Sequence, residues 1–412
     1  MSLAFIPSWS VGIRQLPPLV VLAATSLIAT AAPTHRAEGG EPLPSASTSA
    51  PRARIVEDLP AVGDRPKAIL PAPTRAQVVS LYNINYLAGQ SMPAMGWTGN
   101  VAGCNPGSVA VAYQQSMIDR VNVFRALARI APVSLYSAAD DKDERTAAAA
   151  LLMAANNTLN HSPPSSWTCF NQPFAGSTVG TLGSSGASNS NLALSGGSNY
   201  ATNAVVDAYM DDSGVGNVEV GHRTGILDAK QTLMATGVIP SGPGHGSTNA
   251  LWWINFSSRT GAAPTPEGVA WPPSGFIPYQ LLPAGSNRWS FQYPGANFSA
   301  ATVTMSSGGA TYSPIAYDFR SDGCPTGFTC LPDDAIVWRP PLDATAVNGV
   351  TYASPGANDK SYNVTISGVT GAGAATGTEG AMGGNPGLAA NGAAAGTVAA
   401  GTAGGGVTTG AT

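Results

Sequence analysis

Only four histidines occur in the 412 residues of this chain, so side chains whose ordinary titration falls near neutral pH are scarce. His222 stands in VGHRTGIL, Val220–Leu227, beside Arg223 and just after the acidic pair Asp211 and Asp212. His161 closes an alanine-rich run, His35 falls in a Pro- and Ser-rich stretch, and His245 sits in the glycine-rich GPGHGS. Two neutral imidazoles that meet in a fold, with Asp212 orienting one of them, would suit a divalent metal or a polar ligand. The plainer alternative is a pair of hydrogen-bonded histidines lining a polar cleft. Asp211 and Asp212 end a helix, where carboxylates oppose the dipole. They read as a solvated helix end or as a local rule broken for function. Arg223 reads as a guanidinium fork on Asp212 or loop carbonyls, or as a ligand contact.

The motifs of several catalytic classes are absent. There is no G-x-S-x-G elbow, HExxH, Walker loop, dinucleotide fingerprint or C-x-x-C pair. Spacing alone therefore names no enzyme class. Charged residues make up 10% of the chain and the net charge is −4. This leaves no basic patch for nucleic acid.

The elements that must position the histidines follow in order. Leu16–Ala32 is apolar, preceded by Arg14 and ended by Ala29-Thr30-Ala31, the layout of an export signal. A membrane anchor is the alternative, but Pro17 and Pro18 break the run and it is short for a span. Residues 1–31 are thus expected to be a signal peptide, and the mature chain to be secreted, extracellular or periplasmic. Residues 32–75 read as a disordered linker. Cys104, Cys169, Cys324 and Cys330 are even in number, which suits disulfides in an exported chain. Three pairings are open, and the gaps favour Cys104–Cys169 and Cys324–Cys330.

A helix is predicted over about 108–130, with Tyr113, Met117, Val121, Phe124 and Leu127 on one stripe. A second starts after Ser137 as N-cap, with Asp140, Asp141 and Asp143 in its first turns, and ends at His161. Residues 165–200, rich in Gly, Ser and Asn, read as a long loop. A third helix spans about 201–212. The runs TGVIP and ALWWINF read as strands, with Trp252 and Trp253 as core. From about 270 the chain turns all-β, with short aromatic and β-branched runs between Gly/Pro turns. Residues 370–412 are Gly, Ala and Thr with almost no core-forming side chain, so they are expected to be disordered.

The order of these pieces resembles the CAP superfamily of cysteine-rich secretory, antigen 5 and pathogenesis-related proteins. The carriers are VNVFRAL, an alanine-rich helix ending in His161, an Asn-rich stretch, a helix ending in acid, and VGHR. Trp271-Pro272-Pro273-Ser274-Gly275-Phe276-Ile277-Pro278 and RWSF resemble the bacterial secreted branch, which adds a β-domain. The resemblance spans about residues 76–369. It implies an α+β chain: a three-layer α-β-α sandwich CAP domain at 76–265, then a small β-sandwich-like domain at 266–369. It implies a cleft with His161 and His222 as the two histidines and Asp212 as one acid. Ser190 stands where the family's other glutamate belongs, and Arg223 where an aromatic residue is usual.

The expected function is a secreted, non-enzymatic binding module whose cleft, with His161, His222, Asp212, Ser190 and Arg223, takes a lipidic, polysaccharide or other small ligand. A metal-assisted hydrolase using His161, His222 and Asp212 is one alternative, and a structural cell-envelope protein is the other. No cofactor is required in this reading. A divalent cation such as zinc would bind His161 and His222 only weakly.

Overall fold

The computed structural model describes residues 73–137, 140–197, 199–254, 261, 268–307, 310–323, 334–340, 362–371, 382–385 and 398–400. The expected signal segment, nearly all of the linker and the Cys324–Cys330 pair lie outside the described residues, as does most of the tail. The chain is mixed α and β. Helices α1 (Arg75–Ser80), α2 (Val111–Leu127), α3 (Lys142–Asn156), α4 (Val179–Ser188), α5 (Ala204–Asp211) and α6 (Gly221–Ile226) surround a four-stranded sheet. Its strands are β1 (Ser134–Leu135), β2 (Ser190–Ser195), β3 (Leu233–Ile239) and β4 (Ser247–Trp252), in the order β1-β3-β4-β2. The β1–β3 pair is parallel and the other two pairs are antiparallel.

Side chains alternate across this sheet with the two-residue period of a strand. Met234, Val238, Leu251 and Ala193 pack with Met117, Val121 and Phe124 of α2 and with Val205, Val206 and Tyr209 of α5. Ile239 instead joins Ala148, Leu151 and Leu152 of α3, and Ala250 and Leu192 join Ala149, Met153 and Ala187. The sheet thus has α2 and α5 against one face and α3 and α4 against the other.

Two boundaries differ from the sequence expectation. Helix α3 begins at Lys142, and Ser137 donates its hydroxyl to Asp140 without capping the helix. The stretch 165–200 is not one loop, because it holds α4 and β2. The reason is packing. Residues 146–154 of α3 are all buried, as expected of a helix without a polar face, and its alanines let neighbours come close. Glycines on α4 exploit this: a Cβ built on Gly186 would lie 2.0 Å from the Arg145 carbonyl oxygen. On the other flank a Cβ on Gly237 of β3 would lie 2.1 Å from the Thr146 carbonyl carbon. Each helical glycine costs about 1 kcal/mol in propensity, which hides α4 from a propensity reading while tertiary contact supplies its stability. Thr178 caps α4 by accepting from the Thr181 amide. The Cys104–Cys169 disulfide ties the segment before α2 to the segment after α3, as the gaps favoured.

The β region packs directly on this layer. Strands β5 (Val269–Trp271), β6 (Trp289–Gln292), β7 (Ala316–Arg320) and β8 (Ala335–Arg339) form an antiparallel sheet in the order β7-β8-β6-β5. A second sheet is built around the strand Tyr362–Gly371, whose partners include Thr302–Ser307. The two sheets share one core, in which Trp289, Phe291, Ile336 and Trp338 meet Val303, Met305, Val364 and Ile366. Residues Met382–Asn385 and Val398–Ala400, inside the segment expected to be disordered, pair with that same strand; ladder bonds need only backbone, so a lack of large side chains does not prevent them.

The junction expected at 265–266 is crossed by core. Val269, Trp271, Ile277 and Leu281 belong to the cluster of α2 and α5, and Trp271 meets Phe124 edge-on at 5.5 Å. The described residues on both sides of that junction fall within one compact unit. Among the described residues no helix is long and apolar enough to cross a membrane.

Gly186→Ala is expected to lower the unfolding free energy by about 2 kcal/mol or more, because its methyl meets rigid helix backbone. Gly216→Ala, with open space around the new methyl, is expected to stay within about 0.5 kcal/mol of wild type. Urea unfolding of both variants checks the pair; equal stabilities would refute the packing account of α4.

Candidate functional site

The Asp212 carboxylate organises this region. Asp212 ends α5 in a left-handed conformation, φ 52°, which asparagine and aspartate tolerate better than most residues. Its side chain therefore leaves its own helix and turns toward the start of α6. There Oδ2 accepts the backbone amides of His222 at 3.0 Å and Arg223 at 3.2 Å. Oδ1 accepts from His222 Nδ1 at 2.7 Å. The acid that looked misplaced at one helix C-terminus thus satisfies donors at the N-terminus of the next helix, where negative charge is favoured. Asp211 acts in parallel: its Oδ1 accepts the amides of Gly285 and Ser286 at 2.9 and 3.2 Å.

His222 is fixed on its other sides too. Its ring stacks on Tyr209, with centroids 5.2 Å apart, and its carbonyl accepts from Asn191 Nδ2 at 3.0 Å. Asn191 is a buried hub of β2: its Oδ1 accepts Trp253 Nε1 at 2.8 Å and its carbonyl accepts the Tyr209 hydroxyl at 3.2 Å. A carboxylate only accepts, so His222 Nδ1 carries a proton, and in the neutral ring Nε2 is then the acceptor.

His161 lies just past α3 and is exposed. Its Nδ1 is 2.7 Å from the Ala187 carbonyl, so by the same logic it donates there and leaves Nε2 as an acceptor. The His161 ring is thus tied to Ala187 and the His222 backbone carbonyl to Asn191, at the two ends of the stretch Ala187–Asn191, and each ring donates from Nδ1. Between those ends stands Ser190. Its hydroxyl is buried at 2% residue exposure and has no hydrogen-bond partner. Such a group costs about 1–3 kcal/mol when left unsatisfied.

Arg223 does not face a cleft. Its side chain is fully buried. Nε donates to the Met210 carbonyl at 2.7 Å and Nη2 to the Asp211 carbonyl at 3.0 Å. Nη1 reaches the Arg288 carbonyl at 2.8 Å and Ser290 Oγ at 3.2 Å. The expected positive charge beside the site is therefore spent on carbonyls, the fork role rather than ligand contact. Burial pulls its guanidinium down to about 10, against the opposing pull of Asp212 and Asp211, so it stays charged at neutral pH. Arg125 of α2 forms a second such fork on the carbonyls of Ala131, Ile226, Asp228 and Gln231. Helix α6, which carries His222, is thus held by one buried arginine inside it and another at its end.

His245 belongs to a tight turn, Gly242–His245, docked on Asn157 at the end of α3. Trp252 and Trp253 are core, at 5% and 3% exposure. Among the described residues no group of three His, Cys, Asp or Glu side chains is placed to hold a metal ion.

A further titratable cluster has no sequence motif. Tyr86 follows α1 on a π-helical segment, Leu81–Leu87. Its hydroxyl donates to Asp207 Oδ2 at 3.1 Å, and Arg120 of α2 reaches Asp207 Oδ1 at 3.3 Å while lying over the Tyr86 ring. Burial pushes the Asp207 carboxyl up to about 6, outweighing the Arg120 charge and the Tyr86 bond. The folded chain then holds this proton more tightly than the unfolded chain does. Stability from this group is full below about pH 4 and is lost as the pH rises through about 6. Thermal melts are expected to show a decline between about pH 4 and 6 that Asp207→Asn abolishes; an unchanged decline in that variant would contradict the assignment.

Asp212→Ala strands three donors and is expected to cost about 2–4 kcal/mol, read by chemical unfolding. A cost under about 1 kcal/mol would show that the carboxylate does not organise the turn.

No curated protein matches the chain. The family model for CAP, the cysteine-rich secretory protein family, matches residues 118–255, a segment that holds His161, Ser190, Asp212, His222 and Arg223, and this match supports placing the segment in the CAP superfamily.

Proposed function

We propose that this chain is an exported, non-enzymatic binding protein of the CAP type, in which a three-layer segment presents a cleft around His161, Ser190 and His222 to a small hydroxyl-bearing ligand. One observation carries this reading. Each imidazole donates Nδ1–H, to Ala187 and to Asp212, which in the neutral rings leaves Nε2 as an acceptor, and the Ser190 hydroxyl has no partner. Acceptors of this kind suit hydroxyl groups, such as those of a polysaccharide or the head of a lipid. The disulfide and the family match support an extracellular setting, and the β region would extend the module as in the bacterial secreted branch.

A hydrolase needs a general base free to take a proton. Asp212 already accepts from three N–H groups, and a serine stands where a second acid would be needed. Zinc would find two imidazoles and no free carboxylate, so its affinity is expected to be weaker than about 1 μM.

Organic extraction of the purified chain with mass spectrometry is expected to recover a hydroxylated ligand from wild type and to lose it from His161→Ala and His222→Ala. Calorimetry showing submicromolar zinc binding that His222→Ala abolishes would replace this reading with a metal site. Hydrolysis of ester or glycoside substrates that depends on His222 would replace it with an enzyme.

A further inference from the structure

The site residues of the CAP segment are joined to the β region by an exchange of arginines. From the CAP side, Arg223 donates to the Arg288 carbonyl and to Ser290 Oγ, at the start of β6. From the β side, Arg288 Nη1 donates to the Asp212 carbonyl at 2.9 Å and to the Asn217 carbonyl at 3.2 Å. Asp211 adds a third link by accepting the Gly285 and Ser286 amides. Apart from the bond to Asn217, each of these contacts falls on the Asp211–Asp212 turn or on Arg223, next in sequence to His222.

The turn needs such support. Asp212 and Val220 both adopt left-handed backbone, φ 52° and 48°, and a β-branched residue there is a marked outlier. Such conformations persist only where surrounding contacts over-determine them. Residues 213–219 between them include Val215, 98% exposed, so support from that loop is slight. Arg288 grips both Asp212 and Asn217, and it is itself anchored through Nε to Asp318 at 2.8 Å. Asp318 is 7% exposed and also pairs with Arg339.

We propose that Arg288 is a positioning residue for the Asp212–His222 pair, so that the β region sets the orientation of the imidazole in the CAP segment. This rests on reading His222 as a ligand-facing group, but its test needs no ligand. Arg288 touches Asp212 through the backbone carbonyl, leaving the carboxylate for His222. Its loss releases the peptide that aims that carboxylate. The β region is then part of the binding site's construction rather than an appended module.

The test uses the full mature chain with two readouts: hydrogen exchange of the His222 and Arg223 amides, both bonded to Asp212, and the ¹⁵N shifts of the His222 ring, which report the tautomer. In Arg288→Met those two amides are expected to exchange about tenfold faster, the equivalent of one lost hydrogen bond, and the ring to populate both tautomers. Amides of α3 should stay unchanged. Arg288→Lys keeps a cation beside Asp318 but not the fork, so it is expected to give a partial effect. Arg339→Met breaks the other bond to Asp318 and should leave His222 untouched. Arg288→Met with an unchanged ring and unchanged amides would overturn the proposal, as would an equal acceleration throughout α3. If Arg288→Met does not fold, Arg288→Lys decides, and a wild-type His222 in that variant overturns it. A ligand found or missing in extraction bears on the binding reading alone.

Discussion

Helix α3 is packed on every side, and this constrains much of what surrounds it. A helix buried all round has no polar face to give solvent, so its neighbours must approach its backbone. Alanine provides the room, and glycines on α4 and β3 use it. The consequence reaches the site. His161 follows the end of α3, and its ring bonds Ala187 near the end of α4. Ser190 and Asn191 then enter β2 two and three residues after α4 ends. The spacing between helix and helix thus sets where the His161 imidazole stands relative to β2, whose Asn191 bonds the backbone carbonyl of His222.

The second imidazole depends on a different interaction, the burial of guanidinium groups against carbonyls. Moving an arginine out of water is costly unless its donors are satisfied. Arg125 and Arg223 meet that condition mainly with backbone oxygens, several of them at helix ends, where carbonyls lack helical partners. Arg223 serves the end of α5, through Met210 and Asp211, and Arg125 serves the end of α6, through Ile226. Each fork turns several irregular carbonyls into one rigid junction, which a lysine's single ammonium cannot reproduce. Short helices of this size are marginal by themselves. Here they are held by such junctions and by core contact.

Periodic elements were legible in the sequence, and packing-dependent ones were not. The stripe on α2 and the breaks around α3 follow from side-chain period and punctuation. The aromatic strands of the β region follow from their residue types. Helix α4 does not, because VGTLGSSGAS has the composition of a loop and is helical only where α3 receives its glycines. At the site, residue types pointed to His161, His222 and Asp212, and the broken dipole rule at Asp212 was a usable signal for it. Asp211 broke the same rule for another reason, since it caps residues 285–286. The direction in which Arg223 points could not be read from its neighbours, because its acceptors include Arg288 and Ser290, some 65 residues on. Nor could Asp207, Tyr86 and Arg120, which are brought together from three separate elements and share no spacing.

The charges around His222 limit what the site can recognise. Asp212 is buried, but its carboxylate faces two amides and a ring N–H, and its carbonyl faces the Arg288 cation. Arg223 and Arg288 sit behind it, so the acid adds little uncompensated negative field. Ser190 adds none, where a glutamate would have added a full charge. A second carboxylate at this position would favour a divalent cation, because hard and borderline cations gain most from anionic donors. A hydroxyl instead is neutral and both donates and accepts. On the proposed reading of a shared cleft, a serine there favours hydrogen bonding over metal coordination.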